Sequence, residues 1–291
     1  MTPSSLINGR PGNSLDVRDR GLLYGDGLFD TLAVRDGRPQ FWERHMGRLL
    51  EGCQRLRLAP ADPSLLRAEA DALCAGAVRG ILKIVLTRGP GARGYRFDAG
   101  APGTRILTLS AAADYPVRQY RDGIAVRLCT TRLGCNPALA GIKHLNRLEQ
   151  VLARAEWDDP DIAEGLMRDA GGRIVEGTMS NLFAALDGAL VTPRLDECGV
   201  AGVMRDVIIE WARDNGLAVA ERDLVDADLR RADEIFLCNS LIGVWPVRRI
   251  DDLVLHPGPI AARVAAAIGA SSLMPEAALR DAEAGRHAGE G

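Results

Sequence analysis

Lysine is almost missing from this chain. Of 36 basic side chains only Lys83 and Lys143 are lysine, and the other 34 are arginine. Aromatic residues are scarce too, at 4%, and no basic run is interleaved with them. A nucleic-acid surface needs a cationic track and flat rings for stacking, so no nucleic acid is expected as a partner. No apolar run approaches the roughly 20 residues that cross a bilayer. The start, "MTPSSLINGRPG", has neither the charged nor the apolar region of a signal peptide. The expectation is a cytoplasmic protein with no membrane contact. The six cysteines (Cys53, Cys74, Cys129, Cys135, Cys198 and Cys238) include no CxxC pair and no Cys/His cluster. They read as reduced, mostly buried small hydrophobes, and no metal is expected.

What is present is enough apolar material for a large core. At 291 residues, 47% of them hydrophobic, the chain exceeds the commonest size of a single domain, so two domains are expected. Residues 1–110 read as a small mixed α and β domain. In it "DTLAVRDGRPQFW" carries a hairpin signal at Asp36 and Gly37, and His45, Leu49, Cys53 and Leu56 fall at helical spacing. A second helix is expected over 63–77, then two β-rich runs joined by a glycine-rich loop. Periodicity disappears over 111–118, the expected linker. Residues 119–274 form the larger domain. A long helix is expected from His144, short strands near 164–168, 173–175 and 182–192, and a helix over 203–215 closed by Gly216. One further strand is expected in "EIFLCNSLIGVWPV" and a last helix over 259–268. The tail, 275–291, reads as disordered from its Ala, Glu, Gly and Arg content.

"GPGARG", residues 89–94, matches GxGxxG after an expected strand. That motif binds a dinucleotide only when the loop opens a helix whose amides hold the pyrophosphate. Here "YRFDAGAPG" follows, and Pro102 with its neighbouring glycines forbids the helix. The stretch reads instead as a hairpin loop carrying Arg93 and Tyr95, either a solvated turn or an anion-reading loop.

Arginine equals or exceeds lysine at ion pairs and at bidentate contacts to oxyanions, but its guanidinium does not deprotonate in a protein. A lysine can shed its proton when desolvated, and the amine can then attack a carbonyl to form a Schiff base. In so arginine-rich a chain, each retained lysine is a candidate for chemistry that arginine cannot do. Lys83, in the alternating run "ILKIVL", reads as a surface residue. Lys143 follows the apolar stretch "LAGI" and precedes Leu145, Leu148, Leu152 and Ala155 at apolar spacing, which suggests an amine emerging from a buried junction. A lysine that held pyridoxal phosphate would need a carboxylate to keep the pyridine nitrogen protonated, and Glu176 in "RIVEGTMSNLF" is a candidate. It would also need a phosphate cup. Gly199 and Gly202 stand just before the expected helix at Val203, whose free amides suit an anion. Ser240 and Arg48 could add a hydroxyl and a guanidinium.

The stretches "YGDGLFDTLAVRDG", "RHMGRL", "LTRGPGARGY", "GCNPALAGIKHLNRLEQVLAR", "VEGTMSNLF", "TPRLDECGVAGVMR" and "CNSLIGVWPV" occur in the order of a known family. The chain resembles the fold type IV pyridoxal phosphate enzymes, which include branched-chain aminotransferase, D-amino acid aminotransferase and aminodeoxychorismate lyase. The resemblance implies an α+β, two-domain fold with a smaller N-terminal α/β domain and a larger C-terminal domain with a β-barrel-like core. It implies pyridoxal 5'-phosphate as cofactor, held by Lys143 as a Schiff base, with Glu176 on the pyridine nitrogen. Arg48, the amides of Val203 and Met204, and Ser240 would bind the phosphate. "NPALAGIKHLNRLEQVL" and "RGPGARGY" are most similar to the lyase members. They imply cleavage of 4-amino-4-deoxychorismate to 4-aminobenzoate and pyruvate, a step toward folate. Leu148 stands where branched-chain aminotransferases place a tyrosine. The two substrate carboxylates call for arginine, with Arg93, supported by Tyr95, the first candidate and Arg147 the second. The family also implies a homodimer. An aminotransferase of the same fold remains the first alternative, and a catalytically silent binding protein the second.

Overall fold

The computed structural model of the chain describes residues 4–288, with side chains as far as residue 284. They divide into two compact units, one running to Ala113 and including Ile142–Asn146, the other made of Asp114–Gly141 and the chain from Arg147 onward.

The first unit is built on an antiparallel sheet. Its elements are β1 (Ser5–Ile7), β2 (Arg10–Pro11), α1 (Arg20–Tyr24), β3 (Gly27–Arg35), β4 (Arg38–Pro39), α2 (Trp42–Leu56), α3 (Pro63–Cys74), β5 (Arg79–Thr87) and β6 (Thr104–Ala111). The strand order is β2-β1-β6-β5-β3-β4. The expected hairpin forms at Asp36 and Gly37, where φ is +48° and +73°. Two left-handed residues in a row match the twist of the strands they join. β3 and β5 pair without interruption from Gly27 opposite Thr87 to Arg35 opposite Arg79. Leu82, Ile84 and Leu86 alternate into the core while Lys83 faces out, the two-residue period of a strand with one covered face. α2 supplies cover through Trp42, His45, Met46, Leu49 and Cys53, a stripe of one helix face. α3 begins at Pro63, where a missing N–H costs nothing, and Asp62 caps it by accepting from the amide of Ser64 at 2.8 Å. No helix follows the glycine-rich loop between β5 and β6, so the GxGxxG match has no dinucleotide site.

A buried ion cluster ties α2 to β3. Asp30 is fully buried and accepts from His45 Nδ1 at 2.5 Å and from Arg48 Nη2 and Nε at 2.6 and 3.1 Å. Burial alone would raise the Asp30 pKa. The Arg48 and His45 charges and their hydrogen bonds outweigh it and hold the carboxyl well below its usual range.

The second unit begins with α4 (Val117–Arg121), β7 (Ile124–Leu133), α5 (Leu148–Arg154), β8 (Ile162–Asp169), β9 (Ile174–Gly177), β10 (Asn181–Leu186) and β11 (Ala189–Thr192). It continues with α6 (Val203–Asp214), β12 (Ala218–Glu221), α7 (Asp226–Arg231), β13 (Glu234–Asn239), β14 (Gly243–Ile250), β15 (Leu253–Val254), α8 (Pro259–Ile268) and α9 (Glu276–Ala288). One curled sheet runs β12-β11-β10-β13-β14-β7-β8-β9, with β15 paired to β14. Its core includes the stacked rings of Phe183 and Phe236, 5.2 Å apart, and Trp245. Among the described residues, no helix is long and apolar enough to cross a membrane.

Several sequence expectations need correction. The helix expected from His144 starts only at Leu148, because residues 143–145 spend their backbone groups on pairing with β3: Phe29 N donates to Lys143 O and Leu145 N to Gly27 O, both at 3.0 Å. The apolar spacing there is not a core face, since Leu148 is 76% and Leu152 61% exposed. "EIFLCNSLIGVWPV" is a hairpin of two strands. Asn239 Oδ1 accepts from the amides of Leu241 and Ile242, and Gly243 adopts φ +69°, which turns the chain back. The division between the units, after Ala113, falls within 111–118, although Ala111 ends β6 and Val117 opens α4. Within the tail, Glu276–Ala288 forms α9, with Ala278 buried, and 289–291 lie outside the described residues. Its alanine content favours helix, and packing of this face supplies what composition alone does not show.

Two expectations follow for stability. Leu66→Ala should cost about 2–5 kcal/mol and Leu65→Ala less than about 0.5, in urea unfolding, because Leu66 is fully buried and its neighbour 42% exposed. Asp30→Asn should cost about 3 kcal/mol or more at neutral pH, since it leaves Arg48 and His45 short of a buried partner. The Asp30 pKa is depressed in the folded state, so its contribution is complete above the unfolded pKa of about 4 and is lost as pH falls below it. Urea midpoints of the two proteins should therefore converge in acid.

Candidate active site

In the first unit, Lys143 lies on the short segment that completes the edge of β3. β4 pairs with the far end of that edge at Val34 and Arg35, and residues 143–145 pair with its start. The strand pairing fixes the lysine backbone and leaves its side chain half-buried. Nζ lies 4.5 Å from the centre of the Phe29 ring, and Lys83 Nζ lies 4.9 Å from the same ring. Both lysines of the chain thus meet one aromatic ring. Leu145 packs where any side chain on Gly27 would stand, 2.8 Å from its would-be Cβ, so the glycine admits this close approach.

In the second unit, Glu176 ends β9 with its carboxylate buried. Its Oε2 accepts from the amide of Val200 at 2.8 Å and Oε1 from Gln150 Nε2 at 3.4 Å. The stretch before α6 is shaped around this carboxylate. Gly199 has φ +85°, and a Cβ there would fall 2.8 Å from Val175 and 3.3 Å from Glu176 Oε2, so both its conformation and the space call for glycine.

Gly202 is the N-cap of α6, and no side chain caps the helix. A Cβ on Gly202 would fall 2.0 Å from Asn181 Oδ1, while Asn181 Nδ2 donates to Val200 O at 2.9 Å. Val203 and Met204, both buried, open the helix, whose first amides and dipole favour an anion. Ser240 lies in the turn between β13 and β14, next to Asn239, whose Nδ2 donates to Met179 O at 3.0 Å. The ends of β9, β10 and β13 and the start of α6 are thereby joined through side chains.

Arg48, in the first unit, is paired with Asp30 by two of its nitrogens. Arg93 and Tyr95 lie on the β5–β6 loop, both exposed, Tyr95 to 85%. The loop backbone is held there: Arg20 Nη1 donates to Gly94 O at 2.8 Å, and the amide of Gly94 donates to the Tyr24 hydroxyl at 3.1 Å. Arg147 differs from Arg93 in its surroundings. Burial lowers its pKa, and the charges of Glu176 and Glu149 act in the opposite sense. A guanidinium so placed bears on the Glu176 carboxylate.

Sequence reading missed the carboxylate that supports the turn after Glu176. Glu164 is fully buried on β8 and accepts from the amides of Thr178 at 3.2 Å and Met179 at 3.1 Å, and from the hydroxyls of Thr178 and Ser180. Burial pushes its carboxyl pKa up against these hydrogen bonds. In sequence it is one more glutamate in a strand, and only the threonine and serine of "EGTMSN" hint that an acceptor is needed. Asp30 and Gln150 were missed for the same reason, since their partners lie 15 or more residues away.

The amino-transferase class IV family matches residues 27–250. Aminodeoxychorismate lyase of Vibrio harveyi is 38% identical over 247 residues, 84% of this chain and 90% of its own. The crystal structure of 4-amino-4-deoxychorismate lyase from Pseudomonas aeruginosa is similar with a TM-score of 0.88 at 52% identity, covering 91% of this chain and 97% of that one. A hypothetical aminotransferase from Mycobacterium tuberculosis, in its PLP-bound form, gives a TM-score of 0.76 at 25% identity, covering 89% and 93%. Members of this family depend on pyridoxal phosphate. By its fold and by a match that spans both units, the chain belongs to the amino-transferase class IV family.

Proposed function

We propose that the chain is a pyridoxal phosphate-dependent lyase that converts 4-amino-4-deoxychorismate to 4-aminobenzoate and pyruvate, within folate biosynthesis. The reading is carried by likeness to the lyase members at 52% identity over 91% of the chain. The residues present fit the cofactor: a lysine amine, a buried carboxylate accepting from a backbone amide, and a helix start that no side chain caps. When bound, pyridoxal phosphate supplies the electron sink for charge left on the carbon that bears the substrate amine.

The chain's own side chains do the rest. Lys143 Nζ would hold the cofactor, take the proton from that carbon and return one to the departing enolpyruvyl group. Glu176 would face the cofactor's ring nitrogen and keep its proton in place. The amides of Val203 and Met204, the Ser240 hydroxyl and Arg48 would hold the phosphate. Arg93, with Tyr95, reads a substrate carboxylate. Arg147 is the second candidate for that work; it is partly buried and feels the charge of Glu176. A cytoplasmic homodimer belongs to the same reading. α5 turns Leu148, Val151 and Leu152 outward at 76, 60 and 61% exposure, apolar surface that a second copy would cover.

Incubated with chorismate, glutamine and the amidotransferase synthase, the pure protein should release 4-aminobenzoate and pyruvate in equal amounts. Amino-group exchange between an amino acid and a keto acid, with no 4-aminobenzoate, would replace this reading by the aminotransferase one. A protein with no visible cofactor band would point to the silent binding protein. Lys143→Ala should abolish that band and lower kcat at least roughly 10²-fold. Glu176→Gln should keep the cofactor bound through Lys143 and yet lower kcat, read by fluorescence of the released 4-aminobenzoate.

A further inference from the structure

Outside the residues given a role above, the second unit gathers two thiols and a carboxylate. Sγ of Cys135, Sγ of Cys198 and a carboxylate oxygen of Asp169 all lie within 4.8 Å of one another. Cys135 is exposed, and Cys198 is buried at the edge of an apolar cluster with Leu133, Met167 and Val175. The backbone holds the pair in place. The amide of Asn136 donates to Glu197 O at 2.7 Å, and the amide of Gly141 to Gly199 O at 2.9 Å. The two segments that carry the thiols are thus joined beside the cysteines and again a few residues further on.

The carboxylate does not complete a metal site. Asp169 Oδ1 accepts from the Arg173 amide at 2.9 Å and Oδ2 from Arg173 Nε at 2.6 Å. Arg173 also donates to Glu197 at 2.8 Å, so a guanidinium already occupies the place where a cation would be drawn. What remains available is the pair of sulfurs. They need to close from within 4.8 Å to about 2.05 Å to bond, and Cys135 is the exposed member of the pair.

We propose that Cys135 and Cys198 form a reversible intramolecular disulfide, with hydrogen peroxide as the oxidant. Cys135, at the surface, meets the peroxide first. Its sulfur bonds to one oxygen, the O–O bond breaks, and the other oxygen leaves as water with the thiol proton, so Cys135 becomes a sulfenic acid. Cys198 sulfur then attacks the Cys135 sulfur, the S–O bond breaks, and a second water leaves with the Cys198 proton. The two thiols lose two electrons in all, and the peroxide gains them. Burial pushes the Cys198 thiol pKa up to about 12, with smaller contributions from Cys135 and Asp169. It therefore stays neutral and sheltered until the surface sulfur has been activated, which sets the order of the two steps.

The test is a thiol count and a peptide map of the holoenzyme before and after peroxide. The expected result is loss of two titratable thiols, a Cys135–Cys198 linked peptide by mass spectrometry, and full return of both thiols with dithiothreitol. Cys135→Ser, a change at an exposed residue with no proposed part in cofactor or substrate binding, should abolish the linked peptide and leave Cys198 reduced. Three results would overturn the proposal: Cys135 passing to sulfinic acid with Cys198 still a thiol, a cross-link between two chains in place of the internal one, or one equivalent of added zinc alone protecting both thiols from alkylation.

Discussion

The pairing of residues 143–145 with the start of β3 is the constraint on which the rest depends. Lys143 and Leu145 give backbone groups to a strand edge on either side of His144, with Phe29 N donating to Lys143 O and Leu145 N to Gly27 O. That ladder keeps the segment out of helix and delays α5 to Leu148. It also sets the lysine side chain against Phe29, with no choice left to the backbone. A strand edge holds that backbone more firmly than the end of a helix, which frays.

The second unit meets a different demand, that of placing a buried carboxylate and a helix start that no side chain caps on one framework. Side-chain hydrogen bonds organise the loops there. Glu164 gathers the amides and hydroxyls of the turn after β9, Asn181 Nδ2 donates to Val200 O and ties β10 to it, and Asn239 Nδ2 ties the β13–β14 turn to Met179 O. The buried Glu164 carboxylate is satisfied by several donors, the condition under which a polar group can be buried without a large penalty. Glu176 accepts from the Val200 amide and from Gln150 Nε2. The same strategy appears in the first unit at Asp30, where the charge is balanced by Arg48 and His45 in place of amides.

Family membership and the lyase reading rest on likeness across most of the chain. An electron-sink cofactor serves aminotransferases and lyases alike, because both begin by removing the same proton. The choice among the family's members therefore rests on similarity over the chain as a whole.

Much of the candidate site is legible in the sequence because the chemistry proposed for it needs rare residue types in short contexts. In an arginine-rich chain Lys143 is conspicuous, Gly199 and Gly202 precede a helix, and the Asp36-Gly37 turn is local. β5 and α2 follow from periodicity, which the nearest neighbours impose. What the sequence could not supply was anything decided by distant partners. The leucines after Lys143 have the spacing of a buried helix face, yet α5 exposes them, since spacing says which residues share a side and not what covers it. Likewise Asp30, Glu164 and the Cys135–Cys198 neighbourhood look like ordinary residues until folding brings together groups far apart in the chain. Residue chemistry and local periodicity were determined by the sequence alone; which strand edge, which donor and which sulfur each side chain meets was decided by the tertiary structure, because those free energies depend on pairs that only folding creates.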